Sequence, residues 1–174
     1  MKMKFNQSTL KLAIISAMAL GSTALSVYTY AGTATSTMNV SVSVAHSCSI
    51  DSNPMAFGTY DGNASTALAA KATVVSTCTS GAAALITMSA GASAGSGSAE
   101  APVRRMTAGA GKYLAYQVYS DVARGTVWGN TAPTGVALTG TGVSQTLTAY
   151  GSVPAAQPAA QGVYSDQLSV TITY

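Results

Sequence analysis

The stretch from Gln161 to Tyr174 reads as a turn running straight into an alternating strand. Leu168, Val170, Ile172 and Tyr174 fall on one face, and Ser169, Thr171 and Thr173 on the other. So regular a stripe belongs to a strand buried on one side, and such a strand normally has a ladder partner along each edge. The sequence offers no later segment to flank it. Its second neighbour is therefore expected from another chain.

A matching stripe lies near the other end. Thr37 to Ala45 alternates Met38, Val40, Val42 and Val44 with Asn39, Ser41 and Ser43, the period of a half-buried strand. Between the two stripes the sequence breaks into short β-rich runs. Cys48-Ser49-Ile50 leads into a turn around Asp51-Ser52-Asn53-Pro54, and Met55 to Tyr60 follows. Lys71–Cys78 and Ala83–Ser89 are rich in β-formers, as are Tyr113–Tyr119 and Thr126–Trp128. Val143–Tyr150 alternates and ends at Gly151. Gly91 to Gly111, poor in pattern and rich in Gly, Ala and Ser, is expected as a long surface loop with at most short strand pieces. Ala64–Ala72 is expected as loop or edge strand, because Ser65 and Thr66 interrupt its alanines. About seven short strands with almost no helical period point to one all-β sandwich.

The first residues read as a secretory signal. Lys2, Lys4 and Lys11 form a basic head, Leu12 to Leu20 an apolar run, and small residues suit cleavage after Ala31, with Ala24 as the alternative. The run is shorter than the roughly 20 apolar residues a membrane span needs, although an uncleaved anchor is the competing reading. Cleavage would remove three of the eight basic residues. Lys71, Arg104, Arg105, Lys112 and Arg124 would then balance Asp51, Asp61, Glu100, Asp121 and Asp166. A chain so balanced gives no reason to expect capture of nucleic acid or insertion of the mature chain into a membrane. Its surface has to be largely Ser, Thr, Gly, Asn and Gln, which suits close packing in an assembly.

Cys48 and Cys78 are the two cysteines, and an even count in an exported chain reads as a disulfide, with two free thiols as the alternative. Closing a loop of about 30 residues stabilises a fold by roughly 3–4 kcal/mol in the chain-entropy model.

Catalytic chemistry finds little support. His46 is the only histidine, so no paired-histidine metal motif exists, and a serine triad would depend on that one side chain beside the first cysteine. The carboxylates stand singly on turns, where Asp bonds its own backbone. Gly91–Gly97 lacks the spacing of a phosphate loop, and Lys112 is followed by Tyr113 where a hydroxyl residue is needed. Arg104-Arg105 reads as a solvated loop pair, and Trp128 beside Val127 as a packing residue. Tyr113, Tyr116 and Tyr119 do not share a face at strand period and are expected as core and edge residues. No enzyme, metal site or cofactor is expected.

Several short motifs, in order, carry a family resemblance. Cys48-Ser49-Ile50, Phe57-Gly58-Thr59-Tyr60, Val75-Ser76-Thr77-Cys78, Tyr113 to Asp121, Val127-Trp128-Gly129-Asn130 and Gln161-Gly162-Val163-Tyr164-Ser165-Asp166 are similar to the spore coat protein U family. That family includes the Csu-type subunits of archaic chaperone–usher pili. The resemblance implies an incomplete immunoglobulin-like sandwich lacking its final strand. A periplasmic chaperone, and then the N-terminal segment of another subunit, would supply that strand at an outer-membrane usher. It also implies that Cys48 and Cys78 match the family's disulfide pair. Met38, Val40, Val42 and Val44 would be donor residues, and Leu168, Val170, Ile172 and Tyr174 the edge of the acceptor groove.

The resulting division is a signal over residues 1–31, a donor segment with a possible start of the first strand over 32–47, and the sandwich over 48–174. Gly32 to Ser47 is short for a full donor plus a full first strand, since at about 3.3 Å per residue it spans at most ~53 Å. The expected role is that of a structural subunit of a surface fibre, partnered by copies of itself or related pilins and supporting adhesion and biofilm formation. The alternative is a tip adhesin or monomeric binding module using the Gly91–Gly111 or Val127–Asn130 loops.

Overall fold

A computed structural model of the chain describes residues 31–174. The expected signal, residues 1–31, lies outside the described residues except for Ala31.

The described strands are β1 (Cys48–Ser52), β2 (Leu68–Cys78), β3 (Ala83–Met88), β4 (Arg104–Thr107), β5 (Tyr113–Tyr119), β6 (Val136–Thr139), β7 (Ser144–Val153) and β8 (Val170–Thr173), with a 3-10 turn at Ala132–Thr134 before β6. They form two antiparallel sheets, one ordered β1-β2-β7-β5-β4 and the other β6-β3-β8. The long central pair β2–β7 sets the register of the first sheet, from Leu68 opposite Val153 to Thr77 opposite Ser144.

Alternation explains the core. Leu114, Tyr116 and Val118 of β5 are buried at every second position, as are Val74, Ser76 and Cys78 of β2. They meet Ile86 and Met88 of β3 across the interior, with Ala149 and Val153 of β7 alongside. Trp128 is fully buried among them, and its indole N–H donates to Ile86 O at 2.9 Å. The Cys48–Cys78 disulfide ties β1 to β2 at the end of their ladder, where the two residues stand opposite each other. This is an all-β, immunoglobulin-like sandwich left incomplete along the seam between β1 and β8, the edge strands that lie against each other.

Three sequence expectations need correcting. Thr37–Ala45 belongs to no strand, and Met38, Val40, Val42 and Val44 are 78–90% exposed rather than half-buried. The stripe has the period of a strand, but the chain gives it neither ladder nor apolar face. The Ala-rich stretch, by contrast, is loop up to Ala67 and one-sided edge strand beyond it, as expected. Leu68–Ala72 opens β2, paired with β7 on one side while β1 covers only Val74–Cys78 on the other. The alternating Val143–Tyr150 run does not stop at Gly151, because β7 continues to Val153. Gly151 persists in the strand because a Cβ there would strike Met55 and Phe57, which pack over it.

Arg104 is the third. It is 1% exposed, not solvated. Its guanidinium donates to Met88 O, Ser89 O, Val118 O and Trp128 O and to Gln117 Oε1. A buried cation survives there because a fork of donors meets that many acceptors. Burial pushes its pKa down to about 10, against the opposing pull of Tyr116 and Asp166. Arg105 is half-buried, its guanidinium stacked over the Tyr113 ring at 4.1 Å.

Candidate functional site

The seam opens into a trough because two segments beside it leave their sheets. Asn53 still donates its N–H to Thr73 O, but Pro54 has no N–H to give, and Pro54–Tyr60 runs on outside any ladder. Met55, Phe57 and Tyr60 nevertheless turn inward and pack on the core. Tyr60 fixes the far end, donating its hydroxyl to Pro154 O at 2.9 Å and accepting from Gln157 N at 2.8 Å.

The opposite wall is the approach to β8. Ser165 bridges to Thr107 of β4, after which the chain crosses to the second sheet. Gln167 O accepts from Ala92 N and Ser169 O from Ser89 N. Backbone groups alternate in direction along a strand, so those of Leu168 and Val170 point to the other edge, which has no ladder partner among the described residues.

Between the walls lies a cleft of about 550 Å³ that reaches the core residues Val74, Met88, Val118 and Ala149. An adjoining cleft of about 560 Å³ shares Met55, Phe57, Met106 and Tyr164 with it, so the opening is elongated along the seam. Most of the residues that line it are apolar or aromatic, while Ser52, Asn53, Ser165, Asp166 and Gln167 add polar surface. Phe57 meets Tyr116 edge to face with ring centroids 6.1 Å apart.

One polar latch holds the β8 wall. Asp166 accepts from the Tyr116 hydroxyl at 2.7 Å and from Ser93 N at 3.1 Å. Burial and the bond to Asp166 push the Tyr116 phenol well above its ordinary pKa, so it stays a donor. Gly91, at φ +95, has to be glycine on two counts, since a Cβ would also collide with the Asp166 carboxylate.

The expected groove residues divide. Leu168 and Val170 line the cleft, Ile172 packs on the core, and Tyr174 is 56% exposed. Met38, Val40, Val42 and Val44 are exposed. Sequence reasoning missed Met55, Phe57, Met106, Tyr116, Tyr164 and Asp166 as parts of the trough. The spacing of Met55 and Phe57 after Pro54 was a usable signal, whereas the Asp166–Tyr116 pair, 50 positions apart, left none.

His46 is exposed, and Trp128 is sealed in the core. Among the described residues, no three of His, Cys, Asp and Glu cluster to hold a metal ion. None of the described helices is long and apolar enough to cross a membrane.

Comparison with known proteins fits this architecture. The Spore Coat Protein U domain matches residues 34–171. Protein U of Myxococcus xanthus is 36% identical over 163 residues, covering 83% of this chain and 87% of that protein. A similar fold occurs in a chain of the CsuC–CsuE chaperone–tip adhesion subunit pre-assembly complex from the archaic chaperone–usher Csu pili of Acinetobacter baumannii, with a TM-score of 0.54 and 17% identity. That likeness covers 75% of this chain and 40% of that one, and it concerns the fold alone. The domain match and the extent of the likeness to Protein U lead to one conclusion: the chain belongs to the spore coat protein U family.

Proposed function

We propose that the protein is a structural subunit of a chaperone–usher pilus, exported to the cell surface and polymerised by donor-strand exchange. In this reading Met38, Val40, Val42 and Val44 of one copy enter the trough of the next, beside Leu168, Val170 and Ile172. A periplasmic chaperone occupies the trough beforehand, and an outer-membrane usher receives the subunit. The fibre would serve adhesion and biofilm formation.

The observation that supports this reading is a pair of complementary features in one sequence. An elongated trough lined mainly by apolar residues lies along a strand edge that has no ladder partner among the described residues, and a charge-free stripe at strand period stands exposed. An inserted strand gains main-chain hydrogen bonds from the edge and seats a side chain at every second position. Burying four such side chains contributes roughly 6–10 kcal/mol before ordering costs. Head-to-tail donation joins two different surfaces and does not close on itself, so it builds a filament.

Removing residues 32–44 from the mature subunit tests this. The expected product is folded and binds a chaperone, yet gives no ladder of polymers in an unheated surface extract, where wild type gives a ladder that boiling collapses to one band. Fibres of normal length from the deletion would falsify the reading.

A further inference from the structure

Every methionine in the described chain lies on one of the two surfaces that the proposed polymer would join. Met38 belongs to the exposed stripe; Met55, Met88 and Met106 line the trough. Their accessibility is graded: Met38 is 86% exposed, Met55 and Met106 are half-buried, and Met88 is 3% exposed. The other three stripe positions are valines, which peroxide leaves alone.

We propose that Met38 is an oxidation site that governs assembly: sulfoxide formation on the free subunit disables its donor stripe, and incorporation into the fibre shields the thioether. This rests on the donor reading above. With hydrogen peroxide as oxidant, the Sδ lone pair attacks one peroxide oxygen. An S–O bond forms, the O–O bond breaks, and the departing hydroxide takes the proton of the sulfur-bound hydroxyl, leaving the sulfoxide and water. Sulfur is oxidised by two electrons and the peroxide is reduced. The product replaces a flexible apolar side chain with a strong polar acceptor. Seated against the apolar side chains that line the trough, that acceptor gives up water where a valine-like donor side chain would lose nothing. The Tyr116 hydroxyl of the lining is already committed to Asp166.

The test uses the full mature subunit, treated with hydrogen peroxide, quenched, mapped by peptide mass spectrometry and then followed for polymer formation. Met38 is expected to oxidise first in the free subunit and to be protected in preformed fibres. Treated wild type should polymerise roughly tenfold or more slowly than untreated. Met38→Leu, close in volume and not oxidisable, should keep its rate after the same treatment. Full-rate polymerisation by wild type with Met38 quantitatively oxidised overturns the proposal, as does equal slowing of treated Met38→Leu. Untreated Val42→Asp separates the two readings. If it polymerises like wild type, donation by the stripe fails and the oxidation site with it; if it is blocked while oxidised wild type is not, only the oxidation site falls.

Discussion

Residues 38–44 and 168–174 carry the same pattern, large apolar side chains at every second position with Asn, Ser or Thr between. Their fates differ. Val170 and Ile172 sit opposite Met88 and Ile86 in the β3–β8 ladder and pack on the core. Val40 and Val42 are 88% and 90% exposed and belong to no strand. Period two specifies a strand that can be half-buried, but the partner that buries it comes from elsewhere. Near the C-terminus that partner is β3. For the N-terminal stripe the proposed partner is another copy.

The comparison can be broken most sharply at Arg104. Its side chain gathers Met88 O and Ser89 O at the end of β3, next to where β8 pairs. Arg104→Met should cost about 3 kcal/mol in chemical denaturation by orphaning several buried carbonyls. The proteolytic sensitivity of the stripe should not change. An unchanged denaturation midpoint would mean that β8 does not depend on this hub.

A smaller effect separates the stripes directly. Ile172→Ala should destabilise the isolated subunit by about 2 kcal/mol, since a half-buried side chain is lost from the core edge. Val42→Ala should leave monomer stability within about 0.5 kcal/mol, as exposed substitutions generally do. Equal losses in the two variants would show that the stripe is buried in the monomer and would erase the contrast.

Acid provides the mildest probe. Thr37–Ala45 has no titratable side chain, whereas the sandwich carries Asp121 on an exposed turn. N–H groups of Gly125 and Thr126 donate to its carboxylate and hold its pKa below the usual range. A carboxyl lowered on folding contributes stability above its unfolded pKa and loses it as pH falls through the folded value. Asp121→Asn should therefore lower the melting temperature slightly at pH 6, and the gap should close as the pH falls through the folded value, below the usual carboxylate range. A gap that persists at low pH would assign the effect to turn geometry instead of charge.

Alternation made the terminal stripe legible, and a high content of β-formers did the same for Lys71–Cys78, Ala83–Ser89 and Tyr113–Tyr119. The even cysteine count pointed to the Cys48–Cys78 bond. Arg104 was misread because nothing local marks an arginine whose acceptors lie at the end of β3, on β5 and at Trp128. The trough was hidden for a similar reason. Met55 and Phe57 acquire meaning only against Tyr164 to Val170, more than a hundred positions away.

The order of residues was enough to establish period, polarity and the apolar stripe at each end, since these depend on neighbours two positions apart. Pairing order was not contained there. That β8 closes against β3 and stops, leaving an edge and a core-deep trough beside β1, follows from how two sheets stack and where their walls part. Long-range packing decides such matters, and it set one stripe against the core while leaving its twin in solvent.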